Sequence, residues 1–379
     1  MLPPSPSIAD ESIRPTRVEV DLGQLGRNLQ AIRAHVGPAK VMAVVKANAY
    51  GHGLVPVAHQ MVHSGADCLA VALLEEAVAL REAGIRVPIL VFGGIAETQI
   101  PIFIRNDLTV TAPSVDKLHL IDRAAEAMGV KARVHLKIDT GMGRLGMHYY
   151  SAEKLLAASL KAQHVQVEGI YSHFANADTA DLGHARLQLE RFLEVLTFYE
   201  KHSLPTPVRH LANSGGILQL PESHLDLVRP GILLYGLSPS RECALTVAVK
   251  PALAWKSHVA YFKVVQPGHP VSYGSTWVSD RPVRMVTIPV GYGDGYFRAL
   301  SNKAQVLIRG QKYPVAGRVC MDQIMVNLDS GTAYYRDEVV LLGKQGGQEI
   351  SADDLAEWAG TISYEVLTNI NARVPRVYV

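Results

Sequence analysis

The sequence predicts an α/β protein in two parts: an N-terminal parallel (β/α)8 barrel of the TIM type, then a mostly antiparallel β domain. Three observations predict it. Eight short apolar runs alternate with helical stretches over the first two-thirds of the chain. After Pro239 the texture changes to alternating apolar and polar runs broken by Pro and Gly turns. The chain has 379 residues, 48% of them hydrophobic, more than one ordinary domain uses.

The strand candidates are residues 41–45, 68–72, 87–92, 108–112, 132–139, 165–173, 208–213 and 226–229. The first reads Val-Met-Ala-Val-Val, an unbroken apolar run of the kind found where both faces of a strand are covered. Before it, Leu22, Leu25, Leu29 and Ile32 fall at helical spacing, with Asp21 placed as an N-cap. Leu189, Phe192, Leu193 and Leu196 form a second apolar stripe, read as core. Eight β-then-α units favour a closed barrel over an open doubly wound sheet. The β domain is expected to hold runs at 258–265, 284–289, 305–308 and 338–342, and one helix over 351–360 with Leu355 and Trp358 inward. The resulting partition is a lead-in at 1–16 associated with the β domain, a barrel at 17–238 and a β domain at 239–379.

Composition narrows the function classes. Lys plus Arg is 37 and Asp plus Glu is 35, which calls for neither nucleic acid nor an anionic membrane. No apolar run approaches the ~18 residues of a membrane span. Cys68, Cys243 and Cys320 are scattered and odd in number, so neither a disulfide framework nor a zinc site is expected. The N-terminus does not read as a secretory signal, and a reducing cytoplasm fits best.

Barrel enzymes work at the C-terminal ends of their strands. Here those ends carry Lys46, Lys137 with Asp139 and Arg144, His173, Asn213-Ser214-Gly215-Gly216, and Arg229-Pro230-Gly231-Ile232. An amine at the edge of an apolar core loses its charge more easily and suits Schiff-base chemistry. The competing reading of Lys46 is a lysine that snorkels to water. Ser214-Gly215-Gly216 opens a helix, and Gly231-Ile232 offers bare N–H groups, a pairing that suits a phosphate monoester. Turn glycines are the bland alternative. A strand-end lysine with a phosphate cradle across the barrel describes pyridoxal phosphate. Arg229 only donates, so a ring nitrogen beside it stays unprotonated, a polarity that favours racemisation over transamination or decarboxylation.

At these residues the chain resembles the alanine racemase family. The match runs through Ala43 to Gly53 (AVVKANAYGHG), Lys137 to Gly146 (KIDTGMGRLG), Ser172-His173-Phe174, Ala212-Asn213-Ser214, Arg229 to Ile232, Val271 to Gly274, Gly291 to Tyr296, Gly317 to Gln323 and Ile362 to Glu365. The resemblance implies that Lys46 carries pyridoxal 5'-phosphate and is one of two catalytic bases. It implies that Tyr273 is the other, supplied by the partner subunit of a homodimer. Tyr50, Ser214, Gly231, Ile232 and Tyr364 then hold the phosphate, with Asn213 beside them. Arg229 bonds the ring nitrogen, and His173 orders Arg229 and Tyr273. Arg144 meets the cofactor's phenolic oxygen and the substrate carboxylate, which Met321 and Asp322 also approach. Lys137 matches a position that is carbamylated in several members. The implied activity interconverts L- and D-alanine, providing D-alanine for peptidoglycan.

Taken on position alone, His173 also reads as a core histidine, Tyr273 as a tyrosine packed on a sheet, His52 as structural, Cys320 as a small buried filler and Asp294 as a turn residue. Broader or serine racemases share this framework. A decarboxylase would carry an acid in place of Arg229, and a non-catalytic cofactor binder would lack the second domain.

Overall fold

The computed structural model describes residues 14–379, which form two compact units. One holds residues 23–49 and 53–251, and the other the remainder, including Tyr50–His52.

The first unit is the expected barrel. Its strands are Lys40–Val44, Cys68–Val71, Ile89–Val91, Thr109–Ala112, Ala132–Asp139, Val165–Tyr171, Val208–His210 and Leu227–Val228. The first seven pair in parallel in chain order, and the eighth pairs with the first at Leu227↔Lys40 and Val228↔Val41. The seventh and eighth meet through Asp226 N→Arg209 O (3.2 Å) and Arg229 N→Ala212 O (2.9 Å). Val41, Ala43 and Val45 have no exposed surface, which is why this run carries no alternation. Helix Leu22–Val36 buries Leu25, Leu29 and Ile32 of the stripe read from the sequence but only half-buries Leu22, and helix Gly183–Lys201 buries Leu189, Phe192 and Leu196 but leaves Leu193 exposed.

The boundaries differ from the expected 17–238 and 239–379. The barrel unit runs on to Pro251 because fully buried Asn28 binds the returning chain. Its side chain donates to Leu234 O and Lys250 O and accepts from Lys250 N, all at 2.9–3.0 Å. Gly236, at φ +87°, packs so close that a Cβ would lie 1.8 Å from Lys250 O. At the other end, Arg17–Val20 is not barrel at all. It pairs antiparallel with Leu253–His258 and parallel with Arg376–Tyr378. The lead-in expected at 1–16 is described only from Arg14. Thr16 Oγ1 bonds Ser257 Oγ (2.8 Å) and Pro289 O (2.6 Å) in the same unit.

The second unit is mostly antiparallel, as expected. One sheet runs Gln311–Pro314, Gln305–Ile308, Glu338–Gln345, Leu253–His258, Arg17–Val20, Arg376–Tyr378. Another runs Tyr261–Val265, Val283–Ile288, Ile324–Asp329. The single run expected at 258–265 is thus two strands in two sheets. Helix Ala352–Ala359 is capped by Ser351, whose Oγ accepts from Asp354 N, and stopped by Gly360 at φ +75°. Leu355 is buried and Trp358 only half-buried. A further helix, Ser363–Thr368, was not expected. Among the described residues no helix is long and apolar enough to cross a membrane.

Candidate active site

The first barrel strand ends at Val44, and Lys46 opens a turn of unusual hand. Ala47, Asn48, Ala49 and Tyr50 all take φ between 51° and 54°. A left-handed conformation costs a non-glycine residue roughly 1–2 kcal/mol. Four in succession persist only where surroundings over-determine them, which is typical of functional sites. Lys46 is half-buried. Its amine is held below the ordinary lysine value by burial and then by the Arg144 cation, against an opposing pull from Glu76.

Across the barrel, Arg229 is buried on the eighth strand's end. It donates to Ser172 O (2.7 Å) and Leu211 O (3.0 Å) and bonds His210 Nδ1 (3.0 Å) and His173 Nδ1 (3.3 Å). A guanidinium only donates, so both imidazoles accept at Nδ1 and carry their proton on Nε2. His210 passes that proton on as a bond to His135 Nδ1 (2.9 Å). Burial first, then Arg229, holds His173 and His210 well below the usual histidine value, so both are neutral at pH 7. Burial lowers Arg229 itself to about 10, still a cation near neutrality.

Lys137 is buried on the fifth strand. Its Nζ has no hydrogen-bond partner among the described residues and sits 4.6 Å from the centre of the Tyr171 ring. Burial, then Arg229, drives it well below the lysine value. Two residues on, Asp139 accepts the N–H groups of Gly141 (3.0 Å), Met142 (2.9 Å) and Gly143 (3.1 Å), folding the loop that presents exposed Arg144.

The phosphate-type cradle is built between the last two strands. Asn213 caps helix Ser214–Gln219 by accepting Gly216 N at 3.0 Å. Ser214 Oγ accepts from Gly231 N (3.0 Å) and Leu233 N (3.3 Å). The Gly231 N–H is therefore engaged by a hydroxyl rather than bare, a correction to the expectation. Gly215 admits no side chain, since a Cβ would lie 2.5 Å from Ala177 O. Ile232 opens the short helix Ile232–Tyr235 beside it.

The barrel mouth thus gathers Lys46, Lys137, Arg144, His173, Asn213, Ser214, Arg229, Gly231 and Ile232. Tyr50, Tyr273, Met321, Asp322 and Tyr364 belong to the second unit. There Tyr50 is buried, its ring 6.1 Å from that of Tyr364. His52 is buried, with Nδ1 2.9 Å from Tyr50 O, in keeping with a structural part. Tyr273 is not packed on a sheet: it is 70% exposed on a short turn whose neighbours Ser272 and Gly274 have φ near 70°. Ser272 Oγ ties that turn to Arg318 O at 2.6 Å. Met321 is exposed, and its carbonyl accepts Gly293 N at 2.9 Å. Cys320 is half-buried rather than a buried filler, its thiol 3.6 Å from Ser272 Oγ.

Asp294 does more than turn the chain. Fully buried, it accepts from Arg14 (2.5 and 2.6 Å), from Arg373 Nε (2.6 Å) and from Gly291 N (2.9 Å). Arg373 also binds Asp322 at 2.6 Å, which ties the Met321 loop to the same hub. Glu76, His135, His210 and Arg373 carry no mark in the sequence. Their partners are main-chain N–H groups or distant side chains, which leave no pattern along the chain. Asp139 had a local signal, a carboxylate followed by Thr-Gly-Met-Gly.

Comparison with known proteins identifies the family. Residues 20–239 match the alanine racemase N-terminal domain and residues 252–378 the alanine racemase C-terminal domain. The chain is 44% identical to the alanine racemase of Halothermothrix orenii over 96% of this chain and 97% of that one. It is 45% identical to that of Carboxydothermus hydrogenoformans over 97% and 100%. The alanine racemase structure from Streptomyces lavendulae superposes with a TM-score of 0.93 at 40% identity, covering 97% of this chain and 98% of that one. The Bartonella henselae alanine racemase, solved with covalently bound pyridoxal phosphate, gives 0.88 at 29% identity, covering 97% and 100%. The chain belongs to the alanine racemase family.

Proposed function

We propose that the protein interconverts L- and D-alanine with pyridoxal 5'-phosphate as cofactor and two bases on opposite faces of Cα. We further propose that it works in the cytoplasm as a homodimer whose active site spans the subunits, and that its D-alanine feeds peptidoglycan. The observation that carries this reading is the pairing at one barrel mouth of an amine held below the lysine range with a buried guanidinium whose partners are imidazoles and carbonyls.

The residues fit the cofactor. A lysine amine held below its ordinary value suits the aldehyde, and a buried guanidinium bonded only to carbonyls and imidazoles suits an unprotonated ring nitrogen. In this reading Lys46 holds the aldehyde end. Ser214, Gly231 and Ile232, with Tyr50 and Tyr364, hold the phosphate beside Asn213. Arg229 meets the ring nitrogen and Arg144 the phenolic oxygen. When bound, the cofactor supplies a conjugated ring that takes up the electron pair left at Cα. Arg229 keeps its own proton near neutrality, so it binds the ring nitrogen without protonating it.

Racemisation removes a proton from one face and returns one to the other, which takes two groups. Lys46 Nζ serves the D face and Tyr273 Oη the L face. A free phenol has a pKa of about 10, so a phenolic base working near neutrality calls for a hydrogen-bonding neighbour. Neutral His173 carries its proton on Nε2 and is the residue to orient that phenol. The exposure of Tyr273 supports a role completed by a second copy of the chain. Arg144, Met321 and Asp322 are assigned to the substrate carboxylate and its surroundings. Lys137 is assigned as a carbamylated lysine bracing Arg144. A neutral buried amine is the form that reacts with carbon dioxide, and the product anion would face two cations.

Chiral analysis of alanine with the absorbance spectrum tests the reading. Lys46→Ala should abolish both the visible cofactor band and turnover, and borohydride should label the wild type at position 46. A variant that keeps its band, with reduction trapping no label there, sinks it. Tyr273→Phe should slow proton removal from L-alanine more than from D-alanine. Equal isotope effects in the two directions would contradict the two-base assignment.

A further inference from the structure

Glu76 sits at the third position of helix Leu74–Glu82, where a carboxylate ordinarily bends back to cap its own helix. One oxygen does so: Oε2 accepts from Leu73 N (3.2 Å) and Ala72 N (3.0 Å). The other leaves the helix. Oε1 accepts from Ala47 N (2.6 Å) and Asn48 N (3.4 Å), the first two donors after Lys46. We propose that Glu76 is a positioning residue for Lys46, clamping the left-handed turn that follows the lysine to the mouth of the second barrel strand. The proposal rests on reading Lys46 as the cofactor-bearing amine.

Three features carry it. The turn is left-handed at four non-glycine residues and needs restraint from outside itself. Its far side has that restraint, since Asn48 Oδ1 accepts Leu54 N (2.8 Å) and Asn48 O accepts Gly53 N (2.9 Å). Its near side has Glu76. The same carboxylate also opposes, at the Lys46 amine, the charge-suppressing effect of burial and Arg144. Helix capping accounts for Oε2 alone.

The test separates capping from positioning. Glu76→Ala removes both jobs. Adding Leu73→Ser, at an exposed N-cap with extended backbone, restores a cap to the helix but not the clamp. Each apoprotein is mixed with pyridoxal phosphate, and the condensation rate and the borohydride-labelled residue are measured. Hydrogen exchange of residues 46–50 and the pH midpoint of Lys46 acylation are followed by mass spectrometry. In Glu76→Ala, at a pH above the acylation midpoint of both proteins, we expect condensation roughly ten-fold slower, the loss of about one charge-assisted hydrogen bond. We also expect faster exchange at 47–48 and a midpoint moved to lower pH. The double variant should regain thermal stability and none of these three. Recovery of the rate in the double variant, or wild-type rate and exchange in Glu76→Ala with label at Lys46, overturns the clamp alone. Label elsewhere in the wild type overturns the reading of Lys46 and the clamp with it.

Discussion

Replacing Asp294 by Asn should destabilise the β unit by about 3 kcal/mol. The carboxylate has no exposed surface and receives two guanidinium groups and the Gly291 N–H. An amide retains one acceptor and turns a donor toward the rest. A charge-assisted bond contributes ~1.5–3 kcal/mol, but Arg14 and Arg373 are 30% and 40% exposed, so water recovers part of that loss. The Gly291 N–H is buried, and losing its partner costs a further ~1–3 kcal/mol. The chain's three tryptophans, Trp255, Trp277 and Trp358, all lie in the β unit, so urea unfolding followed by their fluorescence reports that unit selectively. A loss below about 1 kcal/mol would refute the accounting. The pH dependence supplies a second check. Burial raises the Asp294 carboxyl, but Arg14, Arg373 and the Gly291 N–H outweigh it and hold the group below the usual range. Its native value is below the unfolded one, so its stabilisation is complete above the unfolded value and disappears as pH falls through the native one. Wild type and variant should therefore converge in acid and separate toward neutrality.

Gly215→Ala should destabilise the barrel unit by about 1–3 kcal/mol, because a Cβ would overpack against Ala177 O; wild-type stability in urea unfolding would contradict the close approach. Lys137→Met should change how stability varies with pH in carbon-dioxide-free buffer. The native amine is held well below the unfolded value, so between the two the unfolded chain carries one more proton and wild-type stability rises by about 1.4 kcal/mol per pH unit. The variant lacks that slope, and parallel denaturation curves across neutral to alkaline pH would place a free ammonium in the core instead.

Much of the barrel was legible because strands covered on both faces become continuous apolar runs, and because chain order equals spatial order in such a barrel. The strand Arg17–Val20 escaped notice. It has four residues, and its partners begin at Leu253 and Arg376. The break at Val259-Ala260 was equally hidden, since a mostly apolar run continues across a change of sheet. Residues at strand ends could be read from position, so Lys46, His173 and Arg229 were singled out. Glu76 and Arg373 act through bonds to main chain or to residues tens of positions away, and nothing in their neighbourhood distinguishes them from solvated surface charges.

Arg229 is buried among carbonyls and imidazoles, and among the described residues no carboxylate neutralises it. The barrel therefore carries a standing positive potential at its open end before anything binds. Any anion that arrives there is drawn by a charge whose desolvation was already met when the chain folded. The selectivity of this mouth for negative guests is in that sense a debt left by folding, settled only on occupancy.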